Sequence, residues 1–209
     1  MNLSLIDYGT GNLFSVRRAL EVCGANIKVI HHPSEAKNSD RLVVPGVGAF
    51  GSCITELHRL HFNEAIAEHI ATGRPFLGIC VGMQMLMTTS YEFGQHSGLN
   101  LIPGIVTEIP NRTDAGEVRK RPHIGWTSLS ESQPWTKTML SQTTKDDRFY
   151  FVHSFSVIPD NPAHILATTD YDGYEIVAAV KRDNILGTQF HPEKSGPAGL
   201  TILKQFLSL

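Results

Sequence analysis

The chain is poor in cysteine: Cys23, Cys53 and Cys80 are all that its 209 residues contain. They are widely spaced, odd in number and in no metal-binding arrangement, which excludes a disulfide framework and argues for reduced thiols. No apolar run approaches the ~20 residues needed to cross a bilayer. The first residues, Met1 to Asp7, lack the basic region and apolar core of a secretory leader, so a cytoplasmic protein is expected. Charge of neither sign is in excess. With 18 Lys and Arg against 20 Asp and Glu, the formal charge is −2, and neither nucleic acid nor an anionic membrane finds a broad positive surface. Small-molecule chemistry is the expectation. Repeats, low-complexity tracts and linkers are also missing, so residues 1–209 should form one domain, large enough to bury a full core.

What is present is organised around residues 75–87, Pro-Phe-Leu-Gly-Ile-Cys-Val-Gly-Met-Gln-Met-Leu-Met. An apolar run ends at Gly78-Ile79, Cys80 follows between two glycines, and a helix is expected to start at Val81 and run toward Met87. Gly-x-Cys-x-Gly is the spacing of a nucleophile elbow, in which a strained strand-to-helix turn lifts one side chain to the rim of a sheet. At a helix N-terminus the thiolate of Cys80 would be favoured by the partial positive charge there. A buried structural cysteine between packing glycines has the same short pattern.

Around this elbow the texture is that of an α/β chain. Leu3–Asp7, Ile27–Ile30 and Arg41–Val44 read as strands. Leu13 to Cys23, Ile54 to Leu60 and Phe62 to Ala71 read as helices, from apolar residues at helical spacing. The glycines at 9 and 11 lack the third member of a dinucleotide fingerprint. Pro45 to Gly51 holds three glycines, and such a loop can aim backbone N–H groups at an anion. After Leu101 the runs shorten and alternate: Ile105–Ile109, Phe149–Val157, His164–Asp170, Tyr174–Val180 and Ile185–Phe190. Asp172-Gly173 is a hairpin signal, and Ala198–Leu209 a closing helix. The fold predicted is a mostly parallel, doubly wound sheet with helices on both faces and added antiparallel strands. Arg119-Lys120-Arg121, the only basic run, reads as a solvated loop. His31, His32, His58 and His61 read as surface histidines, with no metal expected.

A nucleophilic thiol needs a base, and the base needs an acceptor on its other nitrogen. Near the end of the chain, Gln189-Phe190-His191-Pro192-Glu193 supplies an imidazole and a carboxylate two residues apart, which in an extended chain share a face. Cys80, His191 and Glu193 can therefore act as nucleophile, base and orienting group.

Gly-Ile-Cys-Val-Gly-Met-Gln, Pro-Gly-Val-Gly-Ala-Phe and Gln-Phe-His-Pro-Glu resemble the class I glutamine amidotransferases. Residues 7–12, 122–126 and 150–154 resemble one branch of that class, the amidotransferase subunits of imidazole glycerol phosphate synthases. The resemblance runs nearly end to end. It implies hydrolysis of L-glutamine to glutamate and ammonia, with no cofactor, by the triad Cys80, His191 and Glu193. It further implies oxyanion donors on the backbone of Val47 or Gly48 and of Val81. Gln84, Glu92 and the backbone of His153, Ser154 and Phe155 would hold the substrate. The implied partner is a separate (β/α)8 barrel cyclase subunit that receives the ammonia, with Asn12, Trp126, Tyr150 and Lys194 at interface positions. Thr127, where Asn is usual, and Val81, where Leu is usual, depart from the pattern. They leave open a paralogue feeding another acceptor, such as a surface-polysaccharide sugar. A scaffold without activity is a second alternative, which the complete site disfavours.

Overall fold

The structure, a computed structural model, describes residues 2–209. In chain order the elements are β1 (Asn2–Ile6), α1 (Leu13–Val22), β2 (Asn26–Ile30), β3 (Arg41–Gly46), α2 (Phe50–Arg59), α3 (Phe62–Ala71), β4 (Phe76–Cys80) and α4 (Val81–Gln84). There follow β5 (Thr89–Ser90), β6 (His96–Ser97), β7 (Gly104–Glu108), β8 (His123–Thr127), β9 (Ser130–Glu131), β10 (Phe149–His153) and β11 (Phe155–Pro159). The chain closes with β12 (Ile165–Tyr171), β13 (Tyr174–Arg182), β14 (Ile185–Thr188) and α5 (Gly196–Ser208).

The main sheet has the order β2-β1-β3-β4-β14-β13-β12-β9. Its first five strands are parallel and its last three antiparallel. The chain winds from β1 to β2 in one direction and from β3 to β4 in the other. Right-handed crossovers then put α1 on one face and the α2–α3 pair on the opposite one. β4 is buried at every residue, the signature of a central parallel strand and the reason its sequence does not alternate. Gly46 is paired with Cys80, and Thr188 with Ile79, so β3, β4 and β14 end side by side at the carboxyl edge. In doubly wound sheets that edge is where ligands bind.

Local signals account for most boundaries. Asn12 caps α1, its side-chain oxygen accepting the Ser15 N–H at 3.3 Å, while Val16, Ala19 and Leu20 turn inward at helical spacing. Asp172 and Gly173, at φ 50° and 76°, form the tight turn of the β12–β13 hairpin.

Four expectations change. The helix after Cys80 is one turn, Val81–Gln84, because Met85, Leu86 and Met87 are fully buried and the chain is pulled into the core toward β5. The apolar run 149–157 is two strands in two different sheets, β10 paired with β8 and β11 paired with β7, broken at Ser154. α2 begins at Phe50 rather than Ile54. Arg119 is not solvated: it is 3% exposed. Its guanidinium donates to the carbonyls of Pro110, Arg112, Tyr171 and Asp172 and lies 5.3 Å from the Tyr174 ring centroid. It thereby ties the 110–119 loop to the β12–β13 turn, with carbonyl dipoles in place of a carboxylate.

Replacing Arg119 by Met would leave four carbonyls without a donor and should cost about 3 kcal/mol, read from the urea midpoint. Arg119→Lys should recover only part of this, since three donors on one nitrogen cannot span the fork.

Candidate active site

Cys80 has φ 56° and ψ −112°, a conformation that side chains rarely adopt. The two glycines beside it have a different task, which is to let backbones meet. A Cβ on Gly82 would overlap the carbonyl oxygen of Val44, and one on Gly78 would lie 2.5 Å from the Gly82 oxygen. One on Gly46 would lie 2.8 Å from the Gly82 nitrogen. The first turn of α4 is therefore pressed onto β3, and the intervening residue takes up the strain, a cost of about 1–3 kcal/mol.

His191 follows β14. Its Nδ1 lies 2.8 Å from Glu193 Oε1, and both side chains are buried. The pairing arises differently from the extended geometry expected. The chain turns into a 3-10 segment at Pro192–Lys194, which swings Glu193 back under the ring. Nδ1 is thus committed and Nε2 is left for Cys80. Burial works against a charged ring, but Cys80 and Glu193 outweigh it and raise the His191 pKa to about 9. The backbone is pinned as well: the His191 N–H donates to the Tyr150 carbonyl at 2.9 Å. Ser195 Oγ donates to the His191 carbonyl and accepts from the Tyr150 N–H.

Above the sulfur lies a cavity of about 370 Å³. Cys80, Val81, Gln84 and His191 lie along its lining, with Val47 and Gly48 from the loop after β3. Glu92, His153, Ser154 and Phe155 also line it. Gln84 Nε2 is engaged by the Phe155 carbonyl and by Gln189, each at 3.1 Å. Glu92 accepts the Phe50 N–H at the start of α2 at 2.7 Å, and burial raises its pKa. The loop 45–48 is held from behind. Tyr8 Oη donates to the Pro45 carbonyl at 2.8 Å and Cys53 Sγ to the Val47 carbonyl at 3.5 Å, with Gly48 at φ 96°.

Of the residues expected at an interface, Lys194 lies on the cavity rim, its Nζ 5.9 Å from the Tyr150 ring. Trp126 is 53% exposed and packs on Tyr150 at 5.7 Å, and the Tyr150 ring is 6.5 Å from that of His191. Asn12 caps α1. Sequence reasoning missed Phe93, Glu108, Pro122 and Val152 in the lining. It also passed over Gln189, fully buried against Cys80 Sγ at 3.7 Å. Its place in Gln-Phe-His-Pro-Glu was the available signal. Among the described residues, no group of three His, Cys, Asp or Glu is arranged to hold a metal ion.

Behind the cavity lies a histidine pair. His153 Nδ1 donates to the Phe155 carbonyl at 2.8 Å, and its Nε2 is 3.2 Å from Nδ1 of His123. The His123 ring is stacked on Tyr171 at 4.0 Å. Burial holds both imidazoles neutral, His153 at about 3 and His123 at about 4. Folded-state values below the unfolded one mean that stability is complete above the ordinary histidine range and falls as pH drops from about 6.5 toward 4. The melting temperature should therefore fall by about 5–10 °C between pH 7.5 and 5.0. His123→Asn, weaker at pH 7.5, should lose less over the same interval, as calorimetry can measure.

The family model for glutamine amidotransferase class-I matches residues 4–209. The chain is 47% identical, over 100% of its length and 99% of the relative's, to imidazole glycerol phosphate synthase subunit HisH 1 of Legionella pneumophila (strain Paris). It is 46% identical to subunit HisH of that synthase from Syntrophotalea carbinolica, covering 97% of each chain. Among solved structures, PurLQS from Thermotoga maritima superposes with a TM-score of 0.74 at 18% identity, over 99% of this chain and 97% of that one. A glutamine amidotransferase from the same organism gives 0.60 at 18%, over 92% and 76%. These likenesses show the shared fold. The elbow lies within a match that spans almost every residue, and the chain belongs to the class I glutamine amidotransferases.

Proposed function

We propose that this protein is the glutaminase subunit of an imidazole glycerol phosphate synthase, a cytoplasmic enzyme of histidine biosynthesis acting as one domain over residues 1–209. The observation that carries the reading is the alignment of the Cys80 thiol, the His191 imidazole and the Glu193 carboxylate at the base of one cavity, in a chain nearly half identical to named subunits of that synthase.

L-Glutamine would enter with its α-ammonium group toward Glu92 and Gln84, two of the acceptors on the lining. With the Cys80 proton transferred to His191, the sulfur lone pair forms an S–C bond to the carboxamide carbon, and the carbonyl π pair moves onto oxygen. N–H groups of Val47 or Gly48 and of Val81, residues on the lining, would donate to that developing charge. The C=O bond re-forms, the C–N bond breaks, and nitrogen leaves with its electron pair and a proton from His191 as ammonia. Water, deprotonated by His191, then adds to the thioester carbon, and glutamate departs as Cys80 regains its proton. Glu193 keeps the ring in the tautomer that serves both halves.

Ammonia released into water at neutral pH becomes ammonium and loses its nucleophilicity. A passage to a second chain avoids this, and no part of this chain resembles an acceptor site. The partner proposed is the (β/α)8 barrel cyclase, docked over Trp126, Tyr150 and Lys194, with Asn12 at the margin. The exposure of Trp126, packed on the half-buried Tyr150 whose ring lies 6.5 Å from that of His191, supports that placement.

The purified chain alone should hydrolyse glutamine at least about 100-fold more slowly than the complex with the cyclase. Equal rates would refute activation by the partner. Cys80→Ala should reduce the complex below about 0.1% of wild type, whereas Glu193→Gln should lower kcat by at least tenfold with little change in KM. Because His191 holds its proton up to about pH 9, kcat/KM in the complex should fall above that pH, as the acid that expels ammonia is lost.

A further inference from the structure

Gln189 directly follows β14, two residues before His191, and is fully buried. Its amide orientation is dictated from outside. The Phe155 carbonyl can only accept, so the Gln84 atom 3.1 Å from it must be the Nε2 donor. That same NH2 group lies 3.1 Å from Gln189, whose facing atom must accept and is therefore Oε1. The other arm of Gln189, its NH2, is left pointing at Cys80 Sγ, 3.7 Å away. One backbone carbonyl, itself held by His153 Nδ1, thus sets two amides in series and delivers an N–H to the sulfur.

We propose that Gln189 is a catalytic residue of the glutaminase reaction, donating a hydrogen bond from its ε-amide to Cys80 Sγ so that the thiolate is favoured and aimed into the cavity. This rests on the function proposed above. A charged acceptor gains more from a fixed donor than a neutral one, so the N–H favours ionised over neutral sulfur. The rest of the surroundings give little help. Tyr8 and Cys53 lie behind the sulfur, both pushed up first by burial, and neither offers it a positive charge. Lys194 stands at the rim, Glu193 is spent on His191, and α4 is too short for a full helix dipole. His191 and Gln189 remain as the two donors.

The test is the rate at which iodoacetamide modifies Cys80, followed by mass spectrometry across pH 6–9.5, in the full chain as wild type, Gln189→Met and Gln189→Glu. Labelling of the wild type by a diazoketone analogue of glutamine runs in parallel. At pH 7, Gln189→Met should react about tenfold more slowly than wild type, and the gap should close to about twofold at pH 9.5, where ionisation no longer needs the donor. Gln189→Glu should be slower still at pH 7, because its second carboxylate oxygen faces the sulfur. Equal rates at pH 7, or a deficit constant across pH, overturn the proposal. Should neither variant fold, the ε-amide protons of Gln189 in ¹⁵N-labelled wild type decide it: they should shift when Cys80 is alkylated, and unmoved resonances overturn the proposal. Wild-type Cys80 that resists the diazoketone even with the cyclase bound overturns the glutaminase reading and this proposal with it. Labelled wild type with unaltered variants overturns the role of Gln189 alone.

Discussion

The contact between the backbone of Gly82 and the carbonyl of Val44 governs this molecule. No side chain fits between them, so α4 starts hard against β3 and the chain must reverse within one residue. That residue is Cys80, held at φ 56°. The strain is borne by burial on all sides, since β4 lies at the centre of a parallel sheet with β3 and β14 hydrogen-bonded to it. The Cys80 thiol is thus supported by the centre of the parallel sheet, with the ends of β3 and β14 beside it.

The same rigidity explains why the imidazole can serve the sulfur. His191 leaves β14 one strand away from Cys80, and its main chain is clamped to β10 through Tyr150 and Ser195. Glu193 then needs only a 3-10 turn to reach Nδ1. The carboxylate does more than orient: with the sulfur it overcomes the burial that would otherwise strip the ring of its proton. Nearby, His123 and His153 lack such a partner and remain neutral. The buried histidines are thus of two kinds, one kept charged and one kept uncharged, and the difference is that His191 has both a sulfur and a hydrogen-bonded carboxylate beside it.

Polar groups within this region are satisfied in series. Phe155 O serves both His153 and Gln84, and Gln84 serves Gln189. Chains of this kind are costly if broken and rigid when complete. They join β10 and β11, whose separation at Ser154 puts one strand in the sheet next to Trp126 and the other beside β7. The break in the apolar run places backbone groups at the cavity that a continuous strand would have paired away.

Much was legible before any coordinates. The α/β order, the parallel half and the hairpin at Asp172-Gly173 follow from period and turn chemistry, which act over a few residues. The elbow and the His-Pro-Glu segment pointed to a chemistry only when taken together, because each pattern by itself also fits a structural role. Long-range facts were hidden. Nothing in 81–87 marks a helix of one turn, since its end is set by where Met85 to Met87 find the core. Nothing in Arg119-Lys120-Arg121 says that the first of the three turns inward to four carbonyls. Gln189 reads as a strand residue until Gln84, 105 positions earlier, is laid against it. Sequence alone determined which reactive groups the chain carries and the local shapes that present them, because those depend on neighbours along the backbone. Their distances, protonation and hydrogen-bond directions were decided only by tertiary structure, because each is set by groups far off in sequence that meet in a space from which water is excluded.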